Sequence, residues 1–427
     1  MAEVCVLGLG YVGLPTASLL ANAGFKVLGV DLDEHIVTAL RSGKCRLEEA
    51  GLSTLVSAAV NSGNLVAGMK PEPSSVFILC VPTPVTQQHT VDLRAVEGAA
   101  RSILPHLKKG DLVILESTSP VGTTRNVVGK ILSESGLQPG RDFHLCYCPE
   151  RVLPGNTVNE LVNNDRIIGG FSPECAARAE AVYERFCQGK ITLTDDRTAE
   201  LCKLMENSSR DVNIALANSF ARIAEDAGIN AWEAIELASL HPRVKILKPG
   251  PGVGGHCIPV DPWFLAESFP SHTALLKSAR EINDSQSERL LDRMLKSGAL
   301  KAGDKIAVLG AAYKADIDDA RESPALHFCD AARKQKLTVA VHDPHVRPGD
   351  HHGLVSSNDL PACLNGAVAA VLLTEHKTYR SLTPEFLKQH MKGRLLADAR
   401  NALNHAAFRT AGFTVLVLGD GRVAGTH

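Results

Sequence analysis

No run of apolar residues in this chain approaches the ~20 that a membrane-spanning helix needs, so a membrane is not expected as a partner. A basic stretch followed by an apolar core is also missing at the start, where the sequence reads MAEVCVLGLGYVGLP and enters a strand pattern at once. Secretion is therefore not expected. There is no basic surplus: the formal net charge is -2, which offers nothing to attract nucleic acid or an anionic surface. Among 11 cysteines no C-x-x-C pair and no zinc-finger spacing occurs. Scattered thiols of this kind fit a reducing cytoplasm, not a disulfide framework. Low-complexity tracts and short tandem repeats are absent as well.

What is present is ordinary for a globular protein, with 44% hydrophobic and 22% charged residues. At 427 residues the chain can form two or three domains. Short β-branched runs alternate with helical stretches, the pattern of βαβ units and a parallel sheet. EVCVLG, KVLGVD, SSVFILCVP, DLVILEST, FHLCYCP and DRIIGG predict a doubly wound domain over residues 1–190. Residues 196–228 form one long helical pattern closed by Gly228 as C-cap, with Leu201, Leu204, Met205, Val212, Leu216, Phe220 and Ile223 at helical spacing. A further helical stretch covers much of 272–297. Residues 191–300 are thus a helical centre able to supply an oligomer surface. From Asp304 the strand pattern restarts in DKIAVLGAAYK, LTVAVHDP, AVAAVLLTE and GRLLADA, predicting a second α/β domain over 301–427. The fold expected is α/β: two doubly wound Rossmann-like domains joined by a helical region containing a long helix.

Gly8-Leu9-Gly10-Tyr11-Val12-Gly13 follows the strand VCVL and opens a helix. In that context Gly8 permits a tight turn, Gly10 admits a pyrophosphate, and Gly13 lets helix and strand pack closely. The next strand ends at Asp31, at the ~20-residue spacing of a ribose-binding acid. A carboxylate there accepts from a 2′-hydroxyl and repels a 2′-phosphate, so the cofactor expected is NAD. Asp33 and Glu34 read as solvated charges at a helix start.

PGPGVGGHCIPVDPW, residues 249–263, is too rich in glycine and proline for helix or strand. It holds Cys257 in a loop whose backbone can approach a ligand, with Asp261 four residues on. Most reduced cysteines are small buried hydrophobes, and Cys5, Cys80, Cys146, Cys148, Cys175, Cys187, Cys202, Cys329 and Cys363 fit that description. Cys45 lies in a more polar stretch. Cys257 has the setting of a nucleophile, which needs exposure and a nearby positive group. Lys203, Asn207 and Arg210 fall on one stripe of the long helix. That stripe is either a solvated polar face or one wall of a site, and spacing leaves both open.

Together GLGYVGLP, CVPTP (80–84), ESTSPVGTT (116–124), CPERVLPGN (148–156), AELCKLMENSSRDVNIALAN, GPGVGGHCIPVDPW and LGAAYKADIDDARESPA (309–325) resemble the UDP-glucose/GDP-mannose dehydrogenase family, in family order and over nearly the whole chain. The resemblance implies an NAD domain, a dimerising helical connector and a C-terminal domain for the nucleotide part of a UDP-sugar. Within the family the loop is similar to the acetamido-sugar branch. The glucose branch has Phe where Val253 and Ile258 stand, and Lys where Val260 stands. PERVLPG and LHPRVKILKPG point to UDP-N-acetyl-D-mannosamine as substrate, ahead of UDP-GlcNAc and then UDP-glucose. A second Glu of the glucose-type motif is replaced here by Pro154, leaving Glu150 to inherit the general-base role.

The family chemistry takes two hydrides from one carbon, turning a C6 alcohol into a carboxylate with two NAD. By the resemblance Cys257 holds the half-oxidised carbon as a thiohemiacetal and then a thioester. Lys203 and Asn207 stabilise the oxyanion, Asp261 and Thr118 position water and the substrate oxygen, and Glu150 is the base for hydrolysis. NAD contacts fall to Val12, Asp31, Thr83, Thr118 and Arg321, beside the fingerprint residues. UDP-sugar contacts fall to Arg151, Val152, Arg210, His241, Arg243, Gly254, Tyr313 and Lys314, the cations suiting a diphosphate.

Two rival readings remain: a two-electron dehydrogenase of small hydroxy acids, which has no use for Cys257, and a non-catalytic nucleotide-sugar sensor, which binds without turnover. The histidine-rich run VHDPHVRPGDHHG, with His342, Asp343, His345, His351 and His352, lacks a strong ligand spacing. It is read as exposed loop histidines, and no metal is expected.

Overall fold

The computed structural model describes residues 2–422, leaving aside residues 48, 87, 153, 154 and 352. The first strands are β1 (Val4–Leu7), β2 (Val27–Val30), β3 (Leu65–Gly68), β4 (Val76–Leu79), β5 (Leu112–Leu115), β6 (His144–Tyr147), β7 (Arg166–Gly170) and β8 (Ile191–Asp195). They make an 8-stranded sheet in the order β3-β2-β1-β4-β5-β6-β7-β8. Neighbours run parallel except β6 with β7. The order reverses at β1, which lies between β2 and β4, and a ligand crevice opens outside the carboxyl ends at such a point. β1, β2, β4 and β5 are buried along their whole length, as strands covered on both faces must be. Val4 and Val6 join one apolar cluster and Cys5 and Leu7 the other, so the period-two alternation of the strand divides the two layers of core. β3 and β8 are the edges. Their mixed burial weakens the apolar signal, and β8 falls just beyond residue 190.

The second sheet contains β9 (Lys305–Leu309), β10 (Thr338–His342), β11 (Gly349–His351), β12 (Leu354–Ser357), β13 (Ala369–Leu372), β14 (Leu395–Asp398) and β15 (Thr414–Val417). Its order is β11-β12-β10-β9-β13-β14-β15, parallel apart from β11. Again the first strand, β9, is central. Ile306 and Val308 pack with Leu290, Met294 and Phe328 on one side, and Ala307 and Leu309 with Leu372 and Phe408 on the other.

The predicted long helix runs over Asp196–Ala227, 32 residues, and ends where Gly228 takes φ +71. Its burial does not follow residue polarity. Asp196, Glu200, Lys203, Ser208, Asp211 and Asn218 are buried, whereas Leu201, Met205, Leu216, Phe220 and Ile223 are exposed, Ile223 at 62%. Much of the polar face can be buried because its groups find partners. Asp211 takes Arg280 at 2.6 Å, and Asn218 accepts the Gly250 N–H at 2.9 Å. Alanines 199, 215, 217 and 221 let other backbone approach between them. The solvated-face reading is therefore corrected for Lys203, while Arg210 is exposed. The 272–297 stretch is two helices, Ala274–Asp284 and Gln286–Lys296.

The chain divides into two compact units, residues 1–206 with 263–270, and residues 207–262 with 271–427. No helix among the described residues is long and apolar enough to cross a membrane.

Candidate active site

In the first unit the sites cluster at the carboxyl ends of β1, β2, β4, β5 and β6. Gly8 has φ +91, and a Cβ on it would meet the Cys80 carbonyl oxygen at 2.6 Å. A Cβ on Gly13 would meet the Gly8 carbonyl oxygen at 1.8 Å, whereas one on Gly10 would meet nothing within 4 Å. So two glycines are needed for closure of strand on helix, and the third leaves an open face. The helix Gly13–Asn22 starts there, with Val12 as its N-cap residue. Asp31 directly follows β2, and its Oδ2 accepts the Leu9 N–H at 2.8 Å. That bond aims the carboxylate at the mouth of the fingerprint. Asp33 caps a helix by accepting the His35 N–H. An open turn beside a fixed acid fits an adenine dinucleotide with a free ribose 2′-hydroxyl.

Thr83 donates its hydroxyl to the Thr118 carbonyl at 2.6 Å, tying the segments after β4 and β5. Glu150, after β6, lies 3.6 Å from the Lys203 ammonium, and its other oxygen accepts the Val152 N–H. Arg151 pairs with Glu206 at 2.8 Å and donates to the Asp165 carbonyl. Glu49, which the sequence did not single out, accepts the N–H groups of Gly155 and Thr157 and so holds the loop after Arg151. Pro154, where the glucose-type motif has its second acid, lies outside the described residues.

In the second unit the glycine-rich loop wraps one segment, 313–322. A Cβ on Gly254 would meet the Tyr313 Cβ and the Glu322 carbonyl oxygen, both at 2.6 Å. Gly255 has φ +91 and donates its N–H to the Arg321 carbonyl. The loop thus seats Gly254 against Tyr313. Cys257 Sγ is 2.8 Å from His256 Nδ1. The Cys257 carbonyl accepts the Asp261 N–H at 2.9 Å, placing the thiol one turn before the helix Asp261–Ser268. A helix start favours negative charge. Asn207 donates to Asp261 Oδ2 at 2.5 Å. Arg321 pairs with Asp319 at 2.6 Å, and Lys314 and Tyr313 are half-buried. His241 and Arg243 are exposed, joined by an Arg243 N–H to His241 Nδ1 bond.

The thiols divide into buried and half-buried groups, with Cys45 and Cys257 in the second. Cys5, Cys146, Cys148, Cys175, Cys329 and Cys363 are buried, whereas Cys80, Cys187 and Cys202 are only half-buried, contrary to expectation. Burial pushes the Cys5, Cys329 and Cys363 thiols up to about 12, which keeps them protonated and inert.

Residues the sequence did not flag stand beside those it did. His256 adjoins Cys257 and was readable there. Glu375 and Arg400 pair at 2.6 Å, and a Cβ on Gly250 would meet the Arg400 guanidinium at 2.5 Å. No local motif announces that long-range contact. The histidine run also changes character. His342 is buried, with Nδ1 2.7 Å from the Tyr379 hydroxyl, while His345 is exposed and His352 lies outside the described residues. Asp316, His345 and His376 bring three ligand-type atoms within 4.8 Å of one another. The group is closed by protein: His376 Nδ1 accepts the Asp316 N–H, and the Lys377 ammonium lies 3.4 Å from the Asp316 carboxylate.

Two parallel sheets that each reverse at a central first strand, one bearing a dinucleotide fingerprint and the other folded with a loop-held thiol, define a nucleotide-dependent oxidoreductase architecture. Three models of one family match: the UDP-glucose/GDP-mannose dehydrogenase family NAD binding domain over residues 2–187, its central domain over 197–285 and its UDP binding domain over 307–405. A UDP-N-acetyl-D-mannosamine dehydrogenase of Methanocaldococcus jannaschii is 45% identical over 428 residues, 99% of this chain and 97% of that protein. An NDP-N-acetyl-D-galactosaminuronic acid dehydrogenase of Ralstonia nicotianae is 44% identical, over 93% and 95% of the two chains. Among solved structures, UDP-D-ManNAc dehydrogenase from Pyrococcus horikoshii matches with TM-score 0.91 and 40% identity over 98% of this chain and 100% of that one. The chain belongs to the UDP-glucose/GDP-mannose dehydrogenase family. It is an NAD-dependent nucleotide-sugar dehydrogenase.

Proposed function

We propose that this chain oxidises UDP-N-acetyl-D-mannosamine at C6 to UDP-N-acetyl-D-mannosaminuronate, a precursor for polysaccharide assembly. Relatives at 45% and 46% identity carry that activity in their names. The observation that carries the reading is the Cys257 sulfur, half-buried in a glycine-lined loop and 2.8 Å from the His256 imidazole.

NAD, when bound at the fingerprint, accepts one hydride in each of two oxidations. Gly10 admits the pyrophosphate, Asp31 takes the ribose hydroxyl, and Thr83, Thr118 and Arg321 complete the cofactor contacts. Between the oxidations the Cys257 thiolate adds to the aldehyde carbon, and the carbonyl electron pair moves to oxygen. Lys203 and the Asn207 amide stabilise that oxyanion. Donors fixed in advance in a dry site contribute ~3–4 kcal/mol each. Asp261 holds the Asn207 amide in orientation. After the second oxidation Glu150 takes a proton from water as the water oxygen attacks the thioester carbon. The C–S bond then breaks and the thiolate returns. Arg151, Val152, Arg210, His241, Arg243, Gly254, Tyr313 and Lys314 hold the UDP-sugar.

In this reading residues 1–190 bind NAD, 191–300 form the central helical region and 301–427 bind the nucleotide. The exposed apolar stripe of the long helix, including Leu216, Phe220 and Ile223, supports a homodimer. Eleven cysteines without a disulfide support a cytoplasmic setting.

The test is NADH production across UDP-N-acetylmannosamine, UDP-GlcNAc and UDP-glucose. The reading expects two NADH per sugar and the highest kcat/KM for the first. One NADH per sugar, or preference for another sugar, contradicts it.

A further inference from the structure

The long helix opens with two acids one turn apart, Asp196 and Glu200, both 0% exposed. Both carboxylates face the segment after β5. Glu200 Oε1 accepts the Thr124 N–H at 2.8 Å and the Thr124 hydroxyl at 2.7 Å, and Oε2 accepts the Gly122 N–H at 2.5 Å. Asp196 accepts from Arg125 at 2.6 Å. The segment so held runs from Thr118 through Gly122, at φ +95, into a π-helix over Thr124–Gly129. A single π turn is uncommon and recurs at functional sites. The N–H groups at its start have no partner within the helix, and Glu200 supplies one. At the other end of the segment the Thr118 carbonyl is tied to Thr83. Three residues beyond Glu200, on the same helix, stands Lys203 beside Glu150.

We infer that Glu200 is a positioning residue for the dehydrogenase reaction, its carboxylate latching the segment that carries Thr118 to the helical turn that carries Lys203. The inference rests on the roles given above to those two residues. Glu200 touches neither substrate nor cofactor in this account; it sets the distance between groups that do. Misplacement of such groups by about 1 Å costs on the order of 100-fold in rate.

The latch also has a natural release. Burial pushes the Glu200 carboxyl up to about 7, against the opposing pull of the Thr124 hydroxyl and amide and the Gly122 amide, with Asp196 adding to the rise. The charged group that acts on it is Asp196 on its own helix, which is itself paired with Arg125 on the π turn. Ionised, Glu200 accepts all three hydrogen bonds. Protonated, one oxygen carries a hydrogen of its own and meets a donor, so one bond is lost. The ordered segment therefore belongs to the alkaline side of about 7.

The experiment compares the full-length protein with Glu200→Gln in two ways. Steady-state NADH production is measured across pH with KM for NAD alongside. Amide hydrogen exchange of residues 119–125 is measured at matched pH. The expected ratio of wild-type to variant kcat climbs as pH passes through about 7 and reaches about 100-fold, and KM for NAD rises over the same range because the displaced segment carries Thr118. The 119–125 amides exchange faster in the variant above that pH and alike below it. A ratio flat in pH, or equal exchange at every pH, overturns the inference. Should Glu200→Gln not fold, Thr124→Val removes one of the three donors and is judged by the same ratio and the same amides. Exchange needs no turnover, so a chain that oxidises none of the sugars yet shows the exchange difference refutes the substrate reading and keeps the latch.

Discussion

Lys203 holds its ammonium 3.6 Å from the Glu150 carboxylate, and the two side chains are only 6% and 12% exposed. The separation exceeds a direct hydrogen bond, so this pair is held by charge and burial. Lys203→Ala should lower kcat by about 100- to 1000-fold, the loss seen when one preorganised donor is removed, with a smaller change in substrate KM. It should also destabilise the fold by about 1–3 kcal/mol, because it leaves the half-buried Glu150 carboxylate without its ion-pair partner. Steady-state kinetics with a parallel urea melt separates the two effects. A folded Lys203→Ala that keeps kcat within a factor of about ten speaks against the oxyanion role.

Asp31 is pinned by the Leu9 N–H at the mouth of the fingerprint. Asp31→Ala removes both the ribose acceptor and the charge that repels a 2′-phosphate. KM for NAD should rise about 10- to 100-fold, the range for a hydrogen bond to a charged group, and NADP should become a usable cofactor. Unchanged NAD affinity would mean the ribose lies elsewhere.

Ile223 is 62% and Leu216 44% exposed on the long helix. An apolar stripe in water is costly at ~25 cal/mol per Å², and a second copy of the chain is the proposed cover. Ile223→Asp should shift the mass measured by light scattering from dimer to monomer at micromolar concentration. A monomeric wild type would remove the proposal.

Asp343 and His376 are both fully buried, 2.9 Å apart. Burial works against the carboxylate, but His376 and the N–H groups of Val346 and Ala312 outweigh it and hold the carboxyl well below its ordinary 3.8. A lowered acid stabilises the fold above its unfolded value, and that contribution is lost as pH falls through the folded one. Asp343→Asn should therefore cost about 3 kcal/mol at neutral pH, and the deficit should shrink only below about 3.8. Hydrogen exchange of the β9 and β13 amides against pH reads this directly. A deficit that shrinks already near pH 6 would put the titrating group elsewhere.

Much of this architecture was readable before any coordinates. The strands buried on both faces announced themselves as β-branched runs, and the fingerprint and the loop around Cys257 carry local glycine patterns whose steric reasons hold in the structure. Edge strands β3 and β8 escaped notice because half-exposed strands carry mixed residues. The long helix was placed correctly, and the role of its polar stripe was left open. Periodicity reports where apolar residues lie, not which face is covered, and here Asp196, Glu200 and Asp211 are buried because Arg125, Thr124 and Arg280 meet them from distant sequence. The same limit hid Glu49 and Arg400, whose partners lie 106 and 25 residues away.

The account depends on the Cys257 sulfur carrying the sugar between its two oxidations. The most direct measurement is rapid-quench mass spectrometry of Glu150→Gln mixed with UDP-N-acetylmannosamine and NAD. With hydrolysis stalled, two NADH per subunit should appear in a burst, and the sugar should be found bonded to the peptide that contains Cys257. Two NADH released with that peptide unmodified throughout would contradict the thioester route.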